Sequence, residues 1–561
     1  MTMRNRSFAC FQKILVLVLL TLSACQTFST SPVTPPHATV PPSPTATLTP
    51  TVPTPLRGGD FRQVRATDAI SFHPYLTTDT TSRLYQDKVF ASGLWLRDPQ
   101  TLQPIPGMAE SWNVSANGKT YTFALRRDLK WSDGTPLTAH DFVWTFVQAA
   151  KPENQYPYLE SLSAIASYVA KDDWTLEITL KEATCTALLN VDVITPLPQH
   201  VWSKFDWRDP ARNPEIYFPS VVSGPYKVKE WQRGNHIIFV RNELYYRGAP
   251  HLDSFTIRII SDASKYVPML QADEVDHAPV SPADFQRARQ IEHLKLYEWQ
   301  PAAPEWEFIG VNLRRPFLKN VAVRQALAYA IPRDAIAAQI FHNLAQPTYS
   351  LFPPTMSVFT PDVPRYDYNL DTARALLQKA GYKLDASGRL VDSANKTVPR
   401  LRILYNVNNK AREQVGAVLQ AQLKALGIES ELLYADFATY VNYLQQEPFD
   451  FDLFLLGWRT PIEPYLSFQM WSETNIPRLN LSAYVNPEVE RLFAQTNQPP
   501  CDADTRKQVF AQIQKIIATD VPYIFLVYHS GYAFIHQRVV PNTPSPLGID
   551  YFPEQWFITG R

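Results

Sequence analysis

The sequence LRILYNV at residues 401–407 opens the segment that decides the fold class, because its apolar run predicts a buried strand. Apolar residues then recur at helical spacing over Lys410 to Leu426, and Gly427 is placed to end that helix. Three further elements follow: a strand at 428–434, a helix at 438–445 and a strand at 449–456. This alternation predicts a parallel sheet, and such sheets bind ligands beyond the carboxyl ends of their strands. We therefore expect a binding site at the loop Gly457-Trp458-Arg459.

The first half of the chain has a different pattern, in which alternating strands dominate. Apolar and polar residues alternate at 121–125, 175–180 and 255–259, which predicts half-buried strands. Thr138-Ala139-His140-Asp141 lies between the first two and resembles a capping box at the start of a helix. No period of 20 to 50 residues repeats, so we do not expect a solenoid or a propeller. This half is predicted to be mixed α+β.

Composition limits the classes of function. The chain has 561 residues with 53 Lys and Arg against 53 Asp and Glu, and no basic cluster indicates a nucleic-acid partner. Four cysteines without a Cys-x-x-Cys pair exclude a disulfide-dense scaffold and a thiolate zinc knuckle. The 48 prolines are about 9% of the chain, against roughly 5% in an average protein. Part of the chain is therefore expected to be non-globular.

The N-terminal residues are typical of an export signal. Three basic residues precede a short apolar run, and Leu22-Ser23-Ala24 leads into Cys25. This arrangement resembles the lipobox of bacterial lipoproteins, so 1–24 is predicted to be removed and Cys25 to carry the lipid. Residues 25–57 are rich in Ser, Thr and Pro and are predicted to form a solvated tether. The mature protein is expected at the outer face of the cell membrane.

Familiar catalytic and cofactor motifs are absent from the sequence. No Gly-x-Gly fingerprint, phosphate loop or Gly-x-Ser-x-Gly elbow occurs, and no histidine is followed by Glu. His529 and His536 lie in or beyond a predicted strand and are interpreted as structural residues rather than metal ligands. We therefore predict no catalytic residue, no cofactor and no metal site.

Two other features leave alternatives open. Cys185 and Cys501 are the only thiols besides Cys25 in the predicted exported chain, and their pattern slightly favours two buried, unpaired cysteines over a disulfide. Aromatic residues make up 12% of the chain, and most must fill cores. Four lie near predicted strand ends or loops and are candidates for a ligand pocket: Tyr75, Trp306, Trp458 and Trp471.

Several blocks of residues occur together in an order that resembles one known family. The most specific are IPGMAESW at 105–112, KTYTFALR at 119–126 and KWSDGTPLTAHDFV at 130–143. SGPY at 223–226, VRQAL at 323–327 and the Gly457-Trp458 pair follow in the same order. The chain resembles the extracellular solute-binding proteins of family 5, which are the oligopeptide, dipeptide and nickel receptors of bacterial ABC importers. The resemblance covers about 58–530.

The resemblance implies an α/β fold, a two-lobed periplasmic-binding-protein-like clamp of type II, cluster C, with an extra α+β domain. Its implied boundaries are 58–88, 175–304 and 521–561 for lobe I, 89–174 for the extra domain and 305–520 for lobe III. Family members are not enzymes; they close by hinge bending on a ligand and deliver it to a permease and ATPase complex. A monomer is implied. Trp458 would stack on the ligand, Gly457 would offer backbone hydrogen bonds, and Thr80 and Thr81 would form the opposite wall.

The ligand stays open because one family position differs. Peptide-binding relatives usually carry an Asp three residues after the Trp, where it pairs with the peptide's amino group, and Pro461 stands there in this chain. Glu463 could substitute but fits a structural role in the loop better, and Arg459 suits an anionic or hydroxyl-rich ligand. A peptide or peptide-like solute is the first expectation. The alternatives are an oligosaccharide, a purely sensory receptor without a permease, or a hydrolase on the same scaffold.

Overall fold

The computed structural model describes residues 55–91, 93–407 and 409–559. The predicted signal peptide at 1–24, the lipidation site Cys25 and all but the last three residues of the predicted tether lie outside the described residues. Within the described ranges, no helix combines the length and the apolar character needed to cross a bilayer.

The chain up to residue 299 is rich in strands. The strands are β1 (Asp60–Arg65), β2 (Trp95–Arg97), β3 (Pro104–Pro106), β4 (Ala109–Val114), β5 (Thr120–Leu125), β6 (Ile165–Asp172), β7 (Thr175–Leu180), β8 (Tyr226–Gln232), β9 (His236–Arg241), β10 (Ser254–Ile259) and β11 (Leu294–Trp299). The helices are α1 (Thr80–Val89), α2 (Ala139–Ala150), α3 (Ala187–Val191), α4 (Gln199–Trp202), α5 (Tyr266–Gln271) and α6 (Phe285–Arg289). The predicted capping box is present at the start of α2, with Thr138 as the N-cap.

The remainder alternates helices with strands. The strands are β12 (Glu305–Val311), β13 (Ala345–Pro347), β14 (Lys383–Leu384), β15 (Leu390–Val391), β16 (Leu401–Asn406), β17 (Ser430–Ala435), β18 (Leu453–Arg459), β19 (Tyr523–His529), β20 (Gly531–His536), β21 (Val539–Val540) and β22 (Phe557–Ile558). The helices are α7 (Pro316–Lys319), α8 (Val321–Tyr329), α9 (Arg333–Gln339), α10 (Leu370–Lys379), α11 (Lys410–Ala425), α12 (Phe437–Gln445), α13 (Pro487–Thr496) and α14 (Ala503–Asp520).

The sheets define two lobes. The first lobe comprises 55–299 and 530–559 and contains the four-stranded sheet β1-β10-β9-β8. The second lobe comprises 305–529 and contains the six-stranded sheet β13-β19-β12-β18-β16-β17. The extra α+β domain is the sheet β4-β5-β7-β6 with α2 packed on it, and its core is continuous with that of the first lobe. The chain passes between the lobes twice, at 300–304 and at Ser530.

The six-stranded sheet carries a separate core on each face. Its side chains alternate between the two faces, as the period of a strand requires: Ile309 faces one core and Phe308 the other. Helix α11 covers the first face, and α12, α13 and α14 cover the second. The predicted parallel unit is confirmed, because β16 pairs in parallel with both β17 and β18.

One boundary in this unit differs from the prediction. The last strand was expected at 449–456 with a loop after it, but β18 begins at Leu453 and includes Gly457, Trp458 and Arg459. These residues pair with Glu307, Trp306 and Glu305 of β12. The partner strand lies about 150 residues away in sequence, so the local pattern at 449–459 could not show that pairing would continue.

Candidate ligand-binding cleft

A cavity of about 400 Å³ lies where the two lobes meet. The first lobe contributes Trp299, Tyr532 and Asp550, and the second contributes Glu305 and Arg459. Both chain crossings also line it, since Pro301, Ala303, Pro304 and Ser530 belong to its wall. Its volume falls in the range of small-molecule sites. The cavity therefore lies where a movement of one lobe against the other would open or close it.

Glycines shape the aromatic side of the cavity. Trp299 of β11 lies opposite Gly531 of β20, and a Cβ at Gly531 would overlap the indole ring. A Cβ at Gly548 would lie 3.6 Å from the same indole ring, which is an ordinary van der Waals distance. The absence of a side chain at Gly531 therefore lets the Trp299 ring pack against the strand that begins next to Ser530. The Tyr532 ring lies on the other face of this strand pair, where it packs on Phe285 and its hydroxyl donates to the Val280 carbonyl at 2.7 Å.

A largely buried ion pair lies behind the second-lobe side of the cavity. Arg412, in the first turn of α11, contacts both carboxylate oxygens of Glu307, with Nε–Oε2 at 3.0 Å and Nη2–Oε1 at 3.2 Å. Its Nη1 donates to Asn406 Oδ1 at 2.7 Å, at the carboxyl end of β16. Burial alone would raise the pKa of Glu307, but the nearby His529 imidazole and the Arg412 guanidinium hold that pKa below its usual value.

Gly457 is required by this ion pair. A Cβ at Gly457 would lie 2.6 Å from Arg412 Nη2 and 2.7 Å from Glu307 Oε1. Because residues two apart share a face of a strand, Glu305 and Arg459 lie on the same face as Glu307 and Gly457, toward the cavity end. The strands thus carry a row of charged groups from the buried pair to the cavity wall.

Arg459 ends this row and is exposed. Its Nε donates to the Ala303 carbonyl at 3.4 Å. Among the described residues, no carboxylate lies within salt-bridge distance of Arg459, and no cation within that distance of Glu305 or Asp550. The cavity therefore presents charges of both signs that the described part of the protein leaves without an ionic partner.

Three of the four aromatic candidates are core residues. Tyr75 and Trp306 are 2% and 1% exposed, and Trp471 is 1% exposed. The Tyr75 hydroxyl donates to the Thr195 carbonyl at 2.8 Å, whereas Trp306 and Trp471 pack around Phe525 and Tyr523. The expectation that they line a pocket is wrong in this structure, because distant segments bury them. Trp458 is half-buried against the same core as Trp306, its cross-strand partner.

The other predicted site residues are placed outside the cavity lining. Thr80 is exposed and Thr81 half-buried in the first turn of α1, where the Thr81 hydroxyl lies 2.7 Å from that of Thr67. Their role as the opposite wall stays a prediction. Glu463 bonds Arg506 Nη2 at 2.6 Å and accepts from the Tyr465 amide at 3.2 Å. These contacts agree with the structural role expected for Glu463.

The structure adds cavity residues that the sequence patterns did not single out. Trp299, Glu305, Tyr532 and Asp550 lie at strand ends or in the C-terminal irregular segment, and none belongs to a recognisable motif. The available signal was their place in the fold: Trp299, Glu305 and Tyr532 flank the two crossings between the lobes, whereas Asp550 has no such signal. His529 also lines the cavity and contacts Glu307, with Nε2–Oε1 at 3.9 Å. Within the described ranges, no group of three or more His, Cys, Asp and Glu residues could hold a metal ion.

Cys185 and Cys501 form a disulfide between the lobes. Cys185 precedes α3 in the first lobe, Cys501 lies between α13 and α14 in the second, and their Cα atoms are 5.3 Å apart. The preference for unpaired thiols is therefore wrong. The pairing joins positions 316 residues apart, and only the docking of the lobes brings them together.

The chain is similar in sequence to several known proteins. The family model described as "Bacterial extracellular solute-binding proteins, family 5 Middle" matches residues 103–477. The oligopeptide-binding protein AppA of Bacillus subtilis is 26% identical over 508 residues, which cover 90% of this chain and 92% of AppA. The dipeptide-binding protein of Escherichia coli is 26% identical over 476 residues, covering 81% and 86%.

A solved structure extends the likeness to the fold. The structure of Bacillus subtilis AppA in complex with a nonapeptide has a TM-score of 0.74 at 26% identity, covering 90% of this chain and all of that one. The family model spans most of the extra domain and much of both lobes. The chain therefore belongs to the bacterial extracellular solute-binding proteins of family 5.

Proposed function

We propose that the protein is the lipid-anchored substrate-binding component of an ABC importer and captures a peptide or peptide-like solute between its lobes. Family membership supports solute binding as the activity. The printed names of the relatives, an oligopeptide-binding and a dipeptide-binding protein, support a peptide as the ligand class. The proposal assigns no catalytic residue and no cofactor.

The observation that carries the proposal is the cavity between the lobes. Its walls combine the aromatic ring of Trp299 with charges of both signs, Asp550, Glu305 and Arg459. A peptide offers the matching groups: charged ends, a polar backbone and apolar side chains. Because the two lobes contribute opposite walls, binding of such a solute would stabilise the closed clamp.

The remaining parts of the proposal concern anchoring and delivery. Lipid at Cys25 would hold the clamp at the outer face of the membrane, and the tether at 25–57 would let it reach a permease and ATPase complex. The clamp would act as a monomer, with its two lobes divided at 300–304 and Ser530. The implied boundaries at 521 and 175 differ from this division, because β19 pairs with β12 in the second lobe's sheet and β7 belongs to the sheet of the extra domain. Of the residues predicted for the site, Arg459 would contact the ligand and Trp458 would stack on it. Gly457 would offer backbone hydrogen bonds, and Thr80 and Thr81 would form the opposite wall.

The test is direct binding by the purified mature protein. Native mass spectrometry of protein prepared without denaturation should reveal a retained solute, and calorimetry with peptides should give Kd values of about 10 μM or less. A protein that releases no solute and gives no heat with di- to nonapeptides would contradict peptide binding.

An oligosaccharide receptor is the second candidate. Its support is the cavity aromatic Trp299, since aromatic faces stack on sugar rings, together with Pro461 at the position of the family's usual carboxylate. Heat with oligosaccharides and none with peptides would favour it. Sustained turnover of any bound solute would instead support a hydrolase.

A further inference from the structure

The two lobes share little apolar surface. Each lobe has its own buried cores, and only one buried apolar cluster among the described residues has members from both lobes. In that cluster Leu344 of the second lobe packs with Phe285 of the first, beside the crossing at Ser530. Domains joined by a small interface move relative to each other unless another link restrains them. The position of one lobe against the other therefore depends on the remaining links.

One of these links lies apart from the crossings. Among the described residues, every other hydrogen bond between the lobes involves 300–304 or Ser530. At this place the Cys185 and Thr186 amides donate to the Asn497 carbonyl and side chain, each at 3.0 Å. The Cys185–Cys501 disulfide closes the same contact. Water can replace the two hydrogen bonds, whereas the disulfide opens only by a chemical reaction.

A short segment of the second lobe separates the disulfide from the crossings. At one end of this segment the Thr460 amide donates to the Pro304 carbonyl at 3.0 Å. At its other end Glu463 bonds Arg506 Nη2 at 2.6 Å, and Arg506 lies in the first turn of α14, directly after the disulfide. Neither cysteine belongs to the lining of the cavity at the crossings. A covalent bond set apart from the crossings limits rotation of one lobe against the other.

The disulfide is accessible to a reductant. Cys501 is exposed and Cys185 is half-buried, so an incoming thiolate reaches the Cys501 sulfur more easily. Its attack forms a mixed disulfide with Cys501 and releases the Cys185 thiolate, which takes up a proton. The second thiol of a dithiol then displaces Cys501, so the reductant becomes a disulfide and both cysteines become thiols. The Gln498 carbonyl oxygen, 3.4 Å from Cys185 Sγ, is placed to accept a hydrogen bond from the new thiol.

We propose that the Cys185–Cys501 disulfide is a redox latch that limits opening of the clamp, and that an exported dithiol reductant is the partner that releases it. While the bond is intact, the lobes stay close and solvent reaches the cavity between them slowly. After reduction, the two crossings and a few hydrogen bonds alone hold the lobes, so the cavity opens more often. This inference goes beyond the proposed function, because it concerns access to the cavity and not the solute.

The test measures access to the cavity without a ligand. Protein with Cys10→Ser and Cys25→Ser keeps Cys185 and Cys501 as its only cysteines. Millimolar dithiothreitol without denaturant, followed by iodoacetamide, should give two alkylated cysteines by intact mass. Hydrogen–deuterium exchange should then be about tenfold faster at the cavity segments 457–463 and 546–550 in dithiothreitol than in the oxidised protein, because local opening controls the exchange of protected amides.

A matched control is the same protein with Cys185→Ser and Cys501→Ser. It should exchange like the reduced protein with or without dithiothreitol. If it does not fold, the oxidised and reduced forms of the unsubstituted pair decide alone. Exchange in β9 and β16, inside the sheets of the two lobes, should not change.

Three results would overturn the latch. The first is a disulfide that dithiothreitol reduces only in denaturant, since no exported reductant could then release it. The second is equal exchange at the cavity segments in the oxidised and reduced protein. The third is an equal rise in β9 and β16, which would mean that the bond supports the whole fold. Solute capture is tested separately by binding, so none of these results bears on the proposed function.

Discussion

The disulfide between Cys185 and Cys501 is a third covalent link between lobes that the chain itself joins at 300–304 and Ser530. The surrounding backbone supports it, because the Cys185 and Thr186 amides donate to the Asn497 carbonyl and side chain, each at 3.0 Å. Hinge rotation about the two chain crossings would separate these segments unless they lie on the hinge axis. We therefore predict that Cys185→Ser with Cys501→Ser destabilises the protein and widens the clamp.

The expected loss of stability follows from the length of the loop that the disulfide closes. With a sequence separation of 316 residues, the loop-entropy relation gives about 5.7 kcal/mol at 25 °C, as an upper value. Measured disulfides usually contribute about 2–4 kcal/mol. For a cooperative unit of about 500 residues, an unfolding entropy of about 2.1 cal/mol/K per residue converts 3 kcal/mol into a fall of Tm of about 3 °C.

Two measurements check this prediction. Scanning calorimetry should show a Tm lower by about 2–4 °C in the double variant, and each single variant should lose the same amount because one bond is removed in every case. Small-angle X-ray scattering without ligand should show a larger radius of gyration for the double variant than for the oxidised wild type. An unchanged Tm together with an unchanged radius of gyration would refute the reasoning that the bond restrains the lobes.

Three further predictions concern anchoring, packing and pH. Cys25→Ser should move the exported protein from the membrane fraction to the soluble fraction, as shown by fractionation and immunoblotting; retention in the membrane would refute lipid attachment at this residue. Gly457→Ala should lower the stability of the second lobe by about 1–3 kcal/mol, because its Cβ would lie 2.6 Å from Arg412 Nη2 and 2.7 Å from Glu307 Oε1. Thermal unfolding measures the loss, and a neutral result would mean that the ion pair shifts without cost. Burial lowers the pKa of His73 to about 3 from 6.5, so this residue favours folding when neutral, and its contribution is lost as the pH falls below about 6.5 toward 3. In that window His73 should contribute up to about 1.4 kcal/mol per pH unit to the slope of the free energy of unfolding against pH. Denaturant unfolding of His73→Asn should show a free energy of unfolding that depends less steeply on pH.

Much of the second lobe could be predicted from its sequence. The helix expected at 410–426 is α11 at Lys410–Ala425, and the strand expected at 401–407 is β16 at Leu401–Asn406. The local sequence signals of α11 agree with one another. Its apolar residues recur at helical spacing, and Asn409 caps its first turn by accepting a hydrogen bond from the Arg412 amide. Where propensity, periodicity and capping point the same way, an element is determined by its own residues.

The site was less predictable because its residues meet only through long-range contacts. Trp306 and Trp458 are similar residues near strand ends, yet the strand register and the covering helices leave one fully buried and the other half-buried. Arg459 could be singled out because it follows a predicted strand of the parallel unit, whereas Asp550 has no such signal in its neighbourhood. A residue's exposure depends on which distant segment covers it.

The sequence by itself determined the order of helices and strands, the parallel unit and, through ordered motifs, the family. Those properties depend on spacing along the chain, which is local. The tertiary structure alone decided which groups share the cleft, since the lobes meet across two crossings and bring Asp550 near Arg459. It also decided that Cys185 and Cys501 pair across 316 residues. Both outcomes depend on distances between segments that are remote in sequence, and those distances exist only after the lobes have packed.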